Sequence, residues 1–307
     1  MAITSDPWDA TELAAYISET WTDMVIPEYF SKAVASNFFT DLSEYADEGS
    51  DIFHVPSVFT NAFSVQTQST GGTEVTTEAP AAEDKTVTVD THKYIATLLP
   101  YLQQVQVASK YNLSEIYNQK AGGTLMEDFE SAILSLATSL STNTIGDTAT
   151  VLSDAEVRQA IEKLATADFP LEECAWFVAP FTYWVQLLAV QKYYDASQTG
   201  WATSPTVTGN FGPAARATGR MGTLYGIPLF TSSQITSALQ TDRNVLAHKT
   251  TWGFAHQTPG GKQVRVQAQN WLGNLGILTV WDTIYGVAEL NDAAGVLVNS
   301  NNSFIGS

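Results

Sequence analysis

Between residues 112 and 140 apolar positions recur every three or four places: Leu113, Ile116, Tyr117, Ala121, Leu125, Phe129, Ala132, Ile133, Leu136, Ala137 and Leu140. That spacing predicts one long helix with a single buried stripe. Asn112, with Glu115 three residues later, supplies a start signal, because each side chain can satisfy an orphan amide of the first turn. At about 1.5 Å per residue the helix would run roughly 40 Å. Gly122-Gly123 interrupts its middle, where each glycine costs about 1 kcal/mol relative to alanine. The pair therefore predicts either a close packing contact or a place to bend.

On the N-terminal side, residues 11–48 read as acidic, amphipathic helical pieces interrupted by Pro27, with Phe30, Val34, Phe38 and Phe39 on an apolar face. They look like an arm laid over something rather than a core. The period then drops to two. Residues 58–68 and 85–95 alternate, with Phe59, Phe63 and Val65 in one run and Val87 and Val89 in the other, around the polar stretch STGGTEVTTEAPAAED. This predicts a long two-stranded ribbon, about 30 Å in reach at about 3.3 Å per residue. A ribbon of that kind is barely stable alone in water, so it should rest on another molecule or on the body of its own chain. Taken as a partner contact, these five residues are the hypothesised inter-subunit surface.

After the long helix, Ser153 and Glu156 form a second capping pattern ahead of Val157, Ala160, Ile161, Leu164 and Ala165. Residues 176–178 read as a buried strand, and Phe181, Trp184, Val185, Leu188 and Ala189 as a helical stripe. A Gly, Thr and Ser-rich loop (197–220) leads to TLYGIPLFTS (223–232), a short strand whose Pro228 suits an edge or bulge. Strands follow at 244–249, 251–256, 263–269 and 296–298, with a long alternating strand at 276–290. Helices and strands segregate without a βαβ repeat, which is the α+β pattern.

Composition narrows the function classes. In 307 residues the charged fraction is only 15%, with Thr, Ser, Asn and Gln taking up the surface, and the formal net charge is −18. The charge is uneven: residues 1–199 hold 28 acids against 8 bases, and residues 200–307 hold 4 against 6. An acidic chain opposes tight nucleic-acid binding, although it can enclose nucleic acid without gripping it. Cys174 is the only cysteine, which excludes an internal disulfide, and its apolar setting predicts an inert thiol. The N-terminal MAITSDPWDA lacks the pattern of a secretory signal. The apolar run 174–190 is broken by Pro180, Thr182 and Gln186, so no membrane span is expected.

Catalytic and metal chemistry find little support. His248 and His256 are eight apart with no carboxylate or cysteine at ligand spacing. A GxSxG elbow is absent, and the glycine-rich stretch NFGPAARATGRMG (210–222) lacks the ending of a phosphate-binding loop. The acid pairs Glu127-Asp128 and Glu172-Glu173 read as solvated faces. No catalytic, metal or cofactor site is expected.

The order of elements nonetheless resembles a known family, the Hong Kong 97-type major capsid (coat) proteins of tailed bacteriophages. FTYWVQLL (181–188) with KYYD (192–195) looks like the family's helix after a buried strand. TLYGIPLFTS looks like its strand of large apolar, Gly, x, Pro, apolar. TVWDTIYGVAELNDAAGVLV (279–298) looks like its long strand, turn and final short strand. NVLAHK (244–249) falls where members carry an apolar, x, Gly, Asp strand, and the Gly-Asp pair is missing here. The resemblance implies an N-arm at 1–50 and an extended β-hairpin loop at 51–98. It further implies a peripheral domain with the spine helix at 99–150 and 265–289, and an axial domain at 151–264 and 290–307.

It also implies a virion protein, assembled in the host cytoplasm as hexamers and pentamers into an icosahedral shell around double-stranded DNA. The partners are further copies of itself, a separate scaffolding protein and a portal, with room for a decoration protein and no membrane. Lys85 and Lys93 are the only lysines in the ribbon, and no matching crosslinking motif is present, so crosslinking is not expected. Under this resemblance Gly122 and Gly123 become an assembly hinge. An encapsulin-like nanocompartment shell, a tail-tube protein and an α+β hydrolase are the competing readings. The first differs in its arm and loop, the second in forming tubes, and the third in needing a converging pocket of titratable groups.

Overall fold

The computed structural model of the protein describes residues 33–46, 51–58, 65, 77, 82–102, 113–190, 220–235, 237–238, 241–257, 263–273 and 275–302. In chain order these form β1 (Thr40–Asp41), β2 (Ile52–Val58), β3 (Ala82–Thr88), β4 (Thr91–Pro100), helix α1 (Leu113–Ser135), β5 (Thr144–Ile145) and helix α2 (Asp154–Thr166). There follow β6 (Cys174–Val178), β7 (Arg220–Leu224), β8 (Ile227–Thr231), β9 (Ser237–Ala238), β10 (Thr241–His248), β11 (Trp252–His256), β12 (Arg265–Trp271), β13 (Gly276–Glu289) and β14 (Gly295–Asn301). The class is α+β, as the segregated periodicities predict.

The 14-residue β13 organises the first sheet. On one side it pairs with β11 and β12, laid end to end. On the other it pairs with β4 from Tyr285↔Thr91 to Gly276↔Pro100. Because side chains alternate across a strand, β13 serves two cores at once. Trp281 and Tyr285 face α1, where Trp281 packs with Ala121 and Leu125, and Tyr285 lies 5.0 Å from Phe129. Ile284 faces the other way, onto Phe53, Val87 and Val89.

The second sheet, in the order β5-β14-β10-β6-β8-β7, is also covered on both faces. Every residue of β6 is buried. Trp176 and Val178 meet α2 through Val157, Ala160 and Leu164, while Ala175 and Phe177 share a core with Ile133 near the end of α1 and Ala137 in the 3₁₀ turn that follows it. The expected capping box starts α2: the Ser153 N–H donates to Glu156 Oε2 at 2.7 Å, and Ser153 Oγ accepts the Glu156 N–H.

Four expectations are corrected. The arm residues that are described, 33–46, are not an amphipathic helix over a distant surface. They form a turn, the two-residue β1 and one 3₁₀ turn, and they insert Val34, Ala35, Phe38 and Phe39 into this chain's own core between the two sheets. The ribbon strand expected at 85–95 is two strands: β3 pairs with β2, while β4 joins β13. Continuous alternation hides that break, because leaving one sheet for another need not change which side chains are apolar. The single strand expected at 223–232 is a hairpin. Tyr225 and Gly226 take φ of 53° and 85°, the paired positive values of a tight two-residue turn. The stripe at 181–189 is a π-helical turn, Thr182–Gln186, followed by a 3₁₀ turn, Leu187–Ala189. Residues 174–190 are thus a strand and short turns, and none of the described helices is long and apolar enough to cross a membrane. The loop expected at 197–220 lies, apart from Arg220, outside the described residues.

Phe39 is the tightest part of the arm's insertion, 5% exposed and 4.6 Å from Trp252 and 5.1 Å from Phe177 between ring centroids. Phe39→Ala is expected to destabilise the protein by about 3–5 kcal/mol, the usual range for removing a buried phenyl ring. Chemical denaturation measures this. A loss below about 1 kcal/mol would mean that the arm is a passenger on the core.

Candidate assembly surfaces

Three features leave this chain's surface unfinished. The first is the ribbon. β2 and β3 pair in register from Ile52↔Thr88 to Val58↔Ala82, with His54 Nδ1 2.5 Å from Asp84 Oδ2 across the strands. Its root is fixed: the Val89 N–H donates to Asp51 O at 2.8 Å, and Phe53, Val87 and Val89 are buried with Leu42 and Ala255. Gly286 of β13 makes that approach close. A Cβ there would lie 2.2 Å from Thr88 O, so only glycine lets the ribbon root cross the long strand. Of the ribbon residues expected to contact a neighbour, Val87 and Val89 are therefore covered by their own chain. Val65 is 98% exposed, and Phe59 and Phe63 lie outside the described residues.

The second feature is the far end of the first sheet. Leu102, Leu272 and Leu275 are well exposed there, with Trp271 and Val266 half-exposed beside them. The turn is tied to β4 by the Tyr101 N–H donating to Leu275 O at 3.0 Å. Clustered exposed apolar side chains mark interaction surfaces. Beside this end, a cleft of about 270 Å³ is lined by Thr97, Leu99, Tyr117, Asn118, Val266, Ala268, Ile277, Thr279 and Trp281. None of these is a carboxylate, histidine or cysteine, so the cleft lacks the groups of a hydrolytic site.

The third feature is α1. Its N-terminal half is held by Trp281, whose Nε1–H donates to Asn118 Oδ1 at 2.8 Å. Its second half is held by Tyr285, whose hydroxyl donates to Asp128 Oδ2 at 2.9 Å, and by Lys93 3.8 Å from Asp128. Asp128 makes these contacts while its side chain stays 43% exposed, so it fastens the helix from a solvated face. Burial, with the Asp128 carboxylate beside it, pushes the Tyr285 hydroxyl well above its usual range. The Gly122-Gly123 pair lies between these two fastenings, and the helix runs through it unbroken. A Cβ on Gly122 would meet nothing within 4 Å, so no packing contact requires the glycine.

Sequence reasoning missed Glu130. Its side chain is 2% exposed and accepts the N–H groups of Val34 at 2.8 Å, Ala35 at 2.6 Å and Ser36 at 3.3 Å. The signal was present: Glu130 has apolar Met126 and Leu134 one turn away on either side, so it lies at the edge of the buried stripe.

The titratable clusters read as fastenings. His248 Nδ1 lies 2.8 Å from Thr250 Oγ1 and its Nε2 3.1 Å from Glu173 Oε2, while Lys249 Nζ is 2.8 Å from Glu173 Oε1. Lys249 and then His248 hold the Glu173 carboxyl below its usual range. Thr250 also gives its N–H to the same His248 nitrogen, so the group locks the turn between β10 and β11. The Cys174 thiol is buried and pushed up to about 11, which keeps it protonated and inert. Among the described residues no three His, Cys, Asp or Glu side chains converge as a metal site would require.

The arrangement of arm, ribbon, spine helix under a long strand and second compact sheet is the Hong Kong 97-type coat fold. No family model and no curated protein matches the chain by sequence. Solved structures do match its fold over more than nine-tenths of the chain. A chain from Mycobacterium phage Che8 superposes with a TM-score of 0.72 at 19% identity, covering 92% of this chain and 97% of that one. A chain of the capsid of cyanophage P-SCSP1u gives 0.72 at 12%, with 95% of each covered. One from the mature capsid of bacteriophage PhiM1 gives 0.69 at 17%, with 92% and 91% covered.

Asp282 staples the first sheet. Arg265 of β12 reaches it through Nε at 3.0 Å and Nη2 at 2.5 Å, and His92 of β4 through Nε2 at 3.1 Å. Arg265 first, then His92, holds its carboxyl below the usual range despite burial. The ionised form therefore favours the fold, fully so above about 3.8 and progressively less as the pH falls through the depressed value. Asp282→Asn is expected to lose about 2 kcal/mol at neutral pH, with the gap to wild type narrowing only below about pH 4. Thermal melts across pH measure it. A gap that stays unchanged well below pH 4 would remove the ionised Asp282 carboxylate as its cause.

Proposed function

We propose that this chain is the major capsid protein of a tailed bacteriophage, assembling as hexamers and pentamers into an icosahedral shell around double-stranded DNA. One observation carries the reading: the chain matches phage capsid chains over nearly its whole length and nearly theirs. The physics of the single subunit supports it. A two-stranded ribbon with an exposed apolar residue beyond its fixed root, and a sheet end with bare Trp and Leu side chains, gain stability when copies supply the missing contacts.

In this reading residues 1–50 are the N-arm, with its described end seated in the body, and 51–98 the extended loop. Residues 99–150 with 265–289 form the peripheral domain, and 151–264 with 290–307 the axial domain. Val87 and Val89 anchor the ribbon root, leaving Phe59, Phe63 and Val65 to meet the neighbouring subunit. The role is structural rather than enzymatic, and the site of action is the virion, built in the host cytoplasm with a scaffolding protein and a portal. The acidic chain keeps packaged DNA from adhering to the shell, in line with binding that needs clustered bases.

Negative-stain microscopy of the purified protein tests the proposal. Closed shells of uniform diameter are expected, and open tubes or a persistent monomer would sink it. The hinge role of Gly122-Gly123 has its own test. With open space around its Cβ, Gly122→Ala is expected to raise helix stability by about 1 kcal/mol, and the double variant with Gly123→Ala to slow assembly or expansion of the shell. Shells that form and mature at the wild-type rate would remove the hinge from the mechanism.

A further inference from the structure

β12 is an edge strand without the devices that usually protect one. Its seven residues pair with β13 without a bulge, and among the described residues no strand pairs with its outer edge. Such an edge offers a row of backbone N–H and C=O groups to another chain. The other edges of this molecule are blunted. β1, β5 and β9 are two residues long, and β7 carries a register shift beside Arg220. In the ribbon β2 contains Pro56, and β3 contains Glu83, Asp84 and Lys85. β4 contains Lys93 and ends at Pro100. β12 has a single charge, Arg265, whose guanidinium is turned onto Asp282 of β13. Residues 266–271 are all exposed and include no proline, lysine or acid.

The surroundings point to the partner. Residues 94–102 and 266–281 carry no charged side chain, in a chain whose formal net charge is −18. Two copies repel one another through their acidic surfaces, and at this end they meet without opposing like charges. We propose that β12 pairs antiparallel with β12 of a second copy about a two-fold axis, joining two first sheets into one. The proposal rests on the self-assembly reading, of which it names one contact.

The pleat fixes the geometry of such a join. Opposed residues of an antiparallel pair project from the same face, so the two-fold axis must pass beside a residue that faces its own copy. Full overlap of the seven residues of β12 puts Ala268 at that place. Val266 then lies opposite Asn270 of the second copy, and Gln267 opposite its Gln269. Pairing covers the flank of Val266, which is 51% exposed in the single chain. Seven paired residues bury far less than the roughly 1,600 Å² of a standard stable interface. The contact is therefore weak between free subunits and gains strength where other contacts already hold the copies together.

Cysteine crosslinking of the full chain tests the pairing, because the native Cys174 is buried and positions 266–270 are all exposed. Each variant carries one added cysteine and is treated with oxidised glutathione at concentrations where the protein self-associates. Ala268→Cys is expected to form a disulfide-linked dimer, and the wild type none. Val266→Cys or Asn270→Cys alone should not crosslink. Full overlap sets the two copies of either residue about 13 Å apart along the strands, beyond the roughly 7 Å that a disulfide spans. Mixed together, those two variants should crosslink to each other. A maximum at Gln267→Cys or Gln269→Cys overturns the full-overlap register. Equal crosslinking at every position, or none among associated copies, overturns the pairing. Microscopy of the same samples separates the two readings. Shells without the β12 crosslink overturn the pairing and leave the shell standing. Crosslinked dimers that never form shells support the pairing and remove the shell, and a monomer without any crosslink overturns both.

Discussion

Everything in this subunit depends on the aromatic wedge by which the arm closes the gap between two sheets. Phe38 and Phe39 contact Phe177 of the second sheet, and Phe39 also contacts Trp252 of the first. Without them the facing apolar surfaces would enclose a void, and interiors tolerate few voids larger than a water molecule. The wedge also explains the three amides on Glu130. A chain that enters a core without forming regular structure must still satisfy its N–H groups, and a buried carboxylate satisfies three at once.

A second constraint follows from β13. A strand buried on both faces must offer alternate residues to two unlike neighbours, and its sequence does so. Trp281 and Tyr285 each combine apolar area with one polar atom that reaches α1, so the helix is fastened by hydrogen bonds at two points as well as by packing. On the opposite face Gly286 removes the side chain where the ribbon root crosses. The ribbon root and the helix thus meet opposite faces of the same strand.

Much of this was legible in the sequence because periodicity reports burial. The long helix, the capping box of α2, the buried β6 and the long β13 all follow from spacing that a one-sided or two-sided core imposes. What was not legible has a common physical cause. Alternation shows which residues are buried but not against what, so β3 and β4 read as one strand and Val87 and Val89 as contacts for a neighbour. The Tyr225-Gly226 turn was masked by apolar residues on both sides, although a glycine after an aromatic could have signalled it. Phe38 and Phe39 were seen as an apolar face, and only the fold shows that the face lies inward. Glu130 was lost because a lone acid beside a buried stripe is usually solvated.

The same limit applies to the charged groups, whose partners spacing alone does not show. Among the described residues three acids are engaged in fastening: Glu173 by Lys249 and His248, Asp282 by Arg265 and His92, Asp128 by Tyr285 and Lys93. Apolar area, by contrast, is left bare at the end of the first sheet and at Val65 beyond the ribbon root. Exposed apolar area of this kind gains free energy when another surface covers it.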